Sequence, residues 1–273
     1  MVVSANQFDK GFPMTIKTVL VVLSGVSGDE TRLAAALLLG ARFEAGIAAL
    51  HVKSAPVILT GGMNGEVPAS LIEAQQQQID ATAAAVEASA RSQAARVGAK
   101  IDWRCEEGDE VSVAGVHARY SDLVVAAPDV ARELVFVSAS PVMAIPDGAT
   151  PNGLKRAVIA WNGSQEAARA VRDALPLIEA VESAEVLVID PPRQEIGTDI
   201  ARRLAAHGIK VDVRERLSGD ADIGGLLLEE ARVSGADFLV MGAYGHSRLR
   251  EWVLGGATEE VLEAAKIPVL MSH

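Results

Sequence analysis

The segment GAYGHSRLREWVLGGAT, residues 242–258, is rich in glycine and locally basic, and it separates two apolar runs. The run before it, DFLVM (237–241), has the composition of a buried strand. The run after it has apolar residues at helical spacing and acidic residues in its first turn. Glycine at a strand end lets bare backbone approach a ligand, and the free N–H groups of a helix start attract phosphate. The segment therefore predicts a strand, loop and helix unit that binds an anion.

A long internal repeat surrounds this segment. Residues 154–178, LKRAVIAWNGSQEAARAVRDALPLI, parallel residues 15–39, TIKTVLVVLSGVSGDETRLAAALLL, since each reads as an apolar strand, a small polar turn and a helix. Residues 235–243 parallel residues 120–127 in the same way. Within each half, strands alternate with helices at spacings that require crossover connections. The predicted fold class is therefore α/β, with two doubly wound open parallel sheets in tandem and helices on both faces.

The joint between the halves is marked by prolines and glycines in PDGATPNGLKR (146–156). We predict a flexible amino-terminal tail over residues 1–14, a first domain over residues 15–148 and a second over residues 154–273. Each half closes on a short apolar strand, PVMAIP or IPVLMSH. Because an isolated edge strand exposes unpaired backbone groups, we expect the two to pair as an internal pseudo-dimer. A homodimer of the whole chain is a further expectation.

Composition limits the classes of partner. The chain has 273 residues, 49% of them hydrophobic and 4% aromatic, and a formal net charge of −11. This charge repels nucleic-acid backbones and anionic lipid heads, and no apolar run is as long as a membrane span. Cys105, the single cysteine, excludes an internal disulfide framework and is expected to be a buried, inert thiol. We expect a cytoplasmic protein that binds neither nucleic acid nor membrane.

The spacing of the glycines resembles a known signature. Gly242 and Gly245, with two residues between them, are followed after nine further residues by Gly255, and this pattern is similar to the nucleotide-binding signature of the universal stress protein family. The resemblance covers residues 154–273, and weaker matches over residues 16–146 make the whole chain similar to a tandem universal stress protein. It implies five-stranded parallel sheets with strand order 3-2-1-4-5. It also implies ATP across the ends of strands 1 and 4, where the general rule for open α/β sheets places ligands.

The same resemblance assigns a set of ligand-contacting residues around this crevice. The implied set is Asn162, Gly163, Val188, Gly242, Gly245, Gly255, Gly256, Ala257 and Thr258. The basic side chains His246 and Arg248, which lie between the two glycine pairs, are added because their positive charge suits a polyphosphate. Two positions depart from the family pattern, which has an aspartate in place of Asn162 and a serine or threonine in place of Gly256. The implied cofactor is ATP, with or without Mg²⁺, or AMP or another adenine nucleotide. Asp190, after strand 2 of this half, is the carboxylate we expect to touch ligand or magnesium.

The first half lacks the equivalent of the glycine segment. No glycine occurs between Gly115 and Gly148 to let backbone approach a phosphate, and Asp129 and Glu133 would repel one. We therefore expect a degenerate first domain without a phosphate loop, and at most one nucleotide per chain.

Two other functions stay open at this point. SGVSGDE (24–30) faintly resembles the pyrophosphate loop of ATP-dependent ligases and sulfur-transfer enzymes, although its key serine is absent. Neither a P-loop lysine, a nucleophile elbow nor histidines at metal-ligand spacing are present. A nucleotide cradle without a placed base binds ATP but hydrolyses it very slowly, so we expect nucleotide binding and no enzyme. The family resemblance implies a regulatory or stress-response role. The third possibility is an interaction module that binds no nucleotide.

Overall fold

A computed structural model describes residues 15–55, 68–149, 153–191, 196–245 and 256–273. The strands of the first half are β1 (Thr18–Val22), β2 (Gly46–Lys53), β3 (Ile101–Glu107), β4 (Leu123–Ala126) and β5 (Val142–Ala144). Those of the second half are β6 (Arg156–Ala160), β7 (Ser183–Ile189), β8 (Val211–Arg216), β9 (Phe238–Gly242) and β10 (Val269–Ser272). The predicted tail, residues 1–14, lies outside the described residues.

The helices of the described residues alternate with these strands. In the first half they are α1 (Asp29–Phe43), α2 (Ala69–Arg96), α3 (Glu110–Ala118) and α4 (Pro128–Val137). In the second half they are α5 (Gln165–Glu179), α6 (Ile196–Ala206), α7 (Ile223–Val233) and α8 (Gly256–Ala264). None of the described helices is long and apolar enough to cross a membrane.

The ten strands of the described residues form one sheet, in the order β3-β2-β1-β4-β5-β10-β9-β6-β7-β8. Each half has the order 3-2-1-4-5, and its strands are parallel. The two terminal strands pair antiparallel, with Met143 opposite Leu270, so the halves share one continuous sheet. This confirms the predicted fold class and strand order, and the terminal strands pair as expected.

Helices cover both faces of the sheet, which is why its central strands carry apolar residues on both faces. In β1, Val19 and Val21 pack into a core with α1, α2, α5 and α6, whereas Leu20 and Val22 pack into a second core with α3, α4, α7 and α8. Successive strand residues point to opposite faces, so both cores need apolar residues from the same strand. The carboxyl ends of the parallel strands in each half then meet at one edge.

The duplication extends to individual hydrogen bonds. The carboxylate of Asp122 accepts from the backbone N–H groups of Lys17 and Thr18 at 2.8 and 2.9 Å. In the second half Asp237 accepts from the N–H groups of Lys155 and Arg156 at 2.8 and 3.0 Å. Each aspartate thus ties the start of its fourth strand to the start of its first strand.

The expectation of a buried thiol at Cys105 is wrong. Cys105 is exposed on β3, which is an outermost strand of the sheet. An edge strand has a neighbour on one side only, and in β3 the exposed and half-buried positions belong mostly to charged residues.

Candidate functional site

The first wall of the crevice is the turn that joins β6 to α5. The Asn162 side chain holds this turn, because its Oδ1 accepts from the backbone N–H of Ser164 at 3.0 Å. Ser164 in turn caps α5 by accepting from the N–H of Ala167 at 3.1 Å. Gly163 between them has φ of 76°, a left-handed conformation that favours glycine. Asn162 and Gly163 are both exposed, so they are accessible to a ligand at this strand end.

The second wall is the end of β9, where the glycines are required by close packing. A Cβ at Gly242 would lie 2.4 Å from the backbone nitrogen of Ala167, so only glycine fits between β9 and α5. A Cβ at Gly245 would lie 2.8 Å from Oε2 of Glu166 and 3.4 Å from Oγ of Ser164. The positive φ in this turn, 53°, belongs to Tyr244 and not to either glycine.

The start of α8 lies against this turn. Thr258 is buried, and its hydroxyl oxygen accepts from the backbone N–H of Tyr244 at 3.2 Å. Gly256 and Ala257, the first residues of α8, are half-buried beside it. Thr258 therefore links the two sides of the glycine segment. His246, Arg248 and Gly255, which the sequence also predicts as ligand contacts, lie outside the described residues.

Carboxylates lie close to both ends of this segment. Glu166 approaches Gly245 as described, and a Cβ at Gly256 would lie 3.3 Å from Oε1 of Glu260. Glu260 is already engaged, because its Oε2 accepts from the backbone N–H of Gly224 at the start of α7 at 2.8 Å. Glu166 has no such backbone partner among the described residues. The described side chains close to this segment, Glu166 and Glu260, are therefore negatively charged and would repel a phosphate.

The side of the crevice near β7 is closed by α6. Val188 is fully buried in the core, with the first turn of α6 packed over it, and a Cβ at Gly197 would lie 3.4 Å from Cγ2 of Val188. The indole N–H of Trp161 donates to the carbonyl of Ile196 at 3.2 Å, and a Cβ at Gly163 would lie 2.8 Å from Cδ1 of Ile196. The structure therefore brings Val188 near the crevice but covers it, so a base reaches Val188 only if α6 shifts.

Asp190 is turned away from the crevice towards the loop after β8. Its carboxylate accepts from both the hydroxyl and the backbone N–H of Ser218, the latter at 3.0 Å. These two hydrogen bonds lower the pKa of Asp190. The described residues contain no group of three or more His, Cys, Asp or Glu side chains arranged to hold a metal ion.

The turn at Tyr244 also contacts the first half of the chain, a feature that sequence reasoning missed. The Tyr244 hydroxyl donates to Oε1 of Glu259 at 2.6 Å, and Glu259 pairs with Arg132 of α4 at 2.7 Å. The Tyr244 ring lies 4.6 Å from the ring of Phe136, also on α4. Burial and the hydrogen bond to Glu259 raise the pKa of Tyr244. A ligand that moves this turn would therefore act directly on the contact between the halves.

The first half has no room for a similar turn. Ala127 alone separates β4 from α4, whereas the corresponding connection between β9 and α8 spans residues 243–255. Pro128 begins α4 at once, because its fixed φ and missing N–H suit the first position of a helix. The connection after the fourth strand is therefore a single residue in the first half and a long glycine-rich segment in the second.

These features define a class of protein: a duplicated, doubly wound α/β fold with a glycine-lined crevice at a topological switch point. At this point the chain continues from β6 to β7 on one side of the crevice and from β9 to β10 on the other. Residues 153–273 match the model of the Universal stress protein family. The resemblance predicted from the sequence is thereby confirmed, and the second half of the chain is a universal stress protein domain.

Individual relatives agree with this assignment. A curated universal stress protein from Synechocystis sp. is 43% identical over 67 residues, which are 24% of this chain and 22% of that protein. The crystal structure of a universal stress protein from Archaeoglobus fulgidus matches with a TM-score of 0.69 and 16% identity, covering 94% of this chain and 96% of that one. A putative universal stress protein from Pseudomonas aeruginosa matches with a TM-score of 0.57 and 14% identity, covering 94% and 93%. The two structures share the fold of both halves.

Proposed function

We propose that this chain binds one adenine nucleotide, ATP in the first place, in the crevice between β6 and β9. The observation that carries the proposal is the meeting of Gly242, Gly245 and the start of α8 at the carboxyl ends of adjacent parallel strands. Backbone without side chains and a helix start together favour a phosphate. Membership of the second half in the universal stress protein family supports the same site.

The proposed contacts divide between the two ends of the nucleotide. Asn162 and Gly163, with Val188 behind them, face the nucleoside, and the glycine segment with Ala257 and Thr258 faces the phosphates. His246 and Arg248 supply positive charge to the phosphates in this proposal. Mg²⁺, where present, would be bound mainly through phosphate oxygens, as is common for this ion.

The proposed role is binding, not turnover. ATP hydrolysis needs a group that orients the attacking water and charge that stabilises the transferred phosphoryl group. The described carboxylates near the crevice, Glu166 and Glu260, lie where a phosphate would be repelled. We therefore propose a regulatory protein of the stress response in the cytoplasm. Its output would be carried by the Tyr244 turn to the contact between the halves, and a homodimer of the chain is part of the same proposal.

A second candidate function is an interaction module that binds no nucleotide. The position of Glu166 beside Gly245 and the complete burial of Val188 favour it. Both observations describe a crevice whose phosphate and base positions are occupied by the protein's own side chains.

Calorimetric titration with ATP, AMP and cyclic AMP separates the two candidates. We expect one nucleotide per wild-type chain and loss of binding in Gly245→Val, whose side chain would collide with Glu166 and fill the phosphate position. Gly46→Val is the matched control, because a Cβ at Gly46 has no atom closer than 3.8 Å. Absence of binding by the wild type at millimolar nucleotide favours the interaction module. Sedimentation of the same samples tests the homodimer.

A further inference from the structure

A cavity of about 710 Å³ lies in the first half, between the turn from β1 to α1 and one side of α2. Its wall on α2 alternates small apolar residues with polar ones: Ala81, Ala85, Val86 and Ala90 lie between Gln78, Thr82, Ser89 and Gln93. Small-molecule sites commonly have volumes of about 300–1,000 Å³, mostly apolar walls and a few polar groups. The cavity therefore has the size of a site for a small organic molecule, and its α2 side offers apolar patches between polar groups.

The groups that would bind a phosphate at this turn are already engaged within the protein. The carboxylate of Asp29 accepts from the backbone N–H groups of Ser24 and Gly25 at 3.3 and 2.8 Å. The guanidinium of Arg32 is 1% exposed, and it donates to Oδ1 of Asp147 at 2.9 Å. An anionic ligand would have to displace these carboxylates from their partners.

The charge around the mouth of the cavity is negative. Asp29, Glu30 and Asp147 are among its lining residues, and neither lysine nor arginine occurs among the described residues that line it. Three carboxylates and the adjacent guanidinium of Arg32 leave a local net charge of −2. Hydrogen bonds from Ser27 and Arg32 hold the pKa of Asp147 below its usual range, so this carboxyl is ionised at neutral pH. Such a mouth attracts cations and repels phosphates.

We propose that this cavity binds a small organic monocation, with its apolar body against α2 and its ammonium group at the mouth beside Asp29, Glu30 and Asp147. The site is separate from the nucleotide crevice and differs from it in ligand class. It also gives the first half a function of its own. The turn SGVSGDE (24–30) then contributes a carboxylate-lined mouth instead of a pyrophosphate loop.

Three probes of nearly equal shape test the charge preference: tryptamine, the uncharged tryptophol and the anionic indole-3-acetate. Each is titrated calorimetrically into the full chain at low salt. Tryptamine is expected to bind about tenfold or more tightly than indole-3-acetate, with tryptophol between them, and added salt should reduce the difference. Equal affinities, tightest binding of indole-3-acetate, or no binding of tryptamine at millimolar concentration would each overturn the proposal.

Variants on α1 and α2 place the binding in this cavity. Ala85→Leu should weaken tryptamine binding about tenfold, because the added side chain takes the space of the ring. Ala84→Leu is the control, since Ala84 is also exposed on α2 but is not part of the lining.

The charge contribution is tested in the same way. Glu30→Gln should weaken the binding of tryptamine severalfold and leave the binding of tryptophol unchanged. Glu133→Gln on α4, which lies on the opposite face of the sheet, should change neither affinity. Circular dichroism verifies that every variant is folded. If Ala85→Leu and Glu30→Gln both leave tryptamine binding intact, the molecule binds elsewhere and the proposal is wrong.

Discussion

Replacing Glu166 with glutamine should strengthen nucleotide binding. The Glu166 carboxylate lies beside Gly245, where an added Cβ would be 2.8 Å from Oε2. A phosphate on the Gly245 backbone would therefore meet this carboxylate at close range. The substitution removes the charge and keeps the shape, so it isolates the electrostatic contribution to the affinity.

The size of the effect follows from Coulomb's law. Two unit charges about 5 Å apart repel by about 3 kcal/mol at an effective dielectric constant of about 20, and by about 1 kcal/mol in water. Because Glu166 is partly exposed, we expect a gain of about 1–2 kcal/mol, which lowers the Kd for ATP about 5- to 30-fold. AMP should gain less and adenosine should gain nothing, because the repulsion requires phosphate charge.

The assay is calorimetric titration of the wild type and variant with ATP, AMP and adenosine at fixed salt. Glu179→Gln is the matched control, since Glu179 is at the other end of the same helix, α5, and is exposed. The reasoning is refuted if Glu166→Gln leaves the ATP affinity unchanged, or if adenosine gains as much as ATP.

Four further predictions concern single residues. Gly242→Ala should lower the free energy of unfolding by about 3 kcal/mol in urea titrations, because its Cβ would collide with backbone; the control Gly46→Ala should cost far less, and equal losses would contradict this. Gly256→Ser should tighten ATP binding about 2- to 10-fold by adding a hydroxyl donor worth about 0.5–1.5 kcal/mol, and calorimetry that detects no gain would show that the hydroxyl does not reach the ligand. Leu270→Ala, at the fully buried strand pair between the halves, should lower the free energy of unfolding by about 2–5 kcal/mol and lower the temperature of a single calorimetric unfolding transition. Two separate transitions, only one of them at a lower temperature, would contradict cooperative unfolding of the shared sheet. Burial raises the pKa of Glu110, so the Glu110 carboxyl contributes to the free energy of unfolding below the ordinary carboxyl pKa, and this contribution is lost as the pH rises through the raised value. Glu110→Gln removes the buried charge, so it should raise the Tm near pH 7 and raise it less near pH 4. An equal change in Tm at both pH values would contradict this.

Much of the fold could be predicted because the same pattern of strands and helices occurs in both halves of the sequence. The matched aspartates, Asp122 and Asp237, bind the starts of their neighbouring first strands in the same way, and the apolar runs at the two terminal strands pair with each other. The repeat predicts the same α/β class for both halves, the family resemblance implies their strand order, and the avoidance of exposed edges predicts how the halves meet.

The contents of the site were harder to predict, because they depend on side chains that approach from distant parts of the sequence. Glu166 reads as an ordinary acidic residue in the first turn of a helix, and nothing in its local sequence indicates that it lies beside Gly245. Val188 reads equally as a ligand contact or as core, and only the packing of α6 shows that it is covered. The cavity in the first half likewise arises from the packing of α2 against the turn after β1.

The most direct test of the nucleotide proposal is a crystal structure of the full chain grown with ATP. We expect nucleotide density once per chain, with the phosphates against Gly242, Gly245 and the start of α8 and the base beside Asn162. A crevice that stays empty at saturating ATP, or nucleotide density in the first half instead, would contradict the proposal.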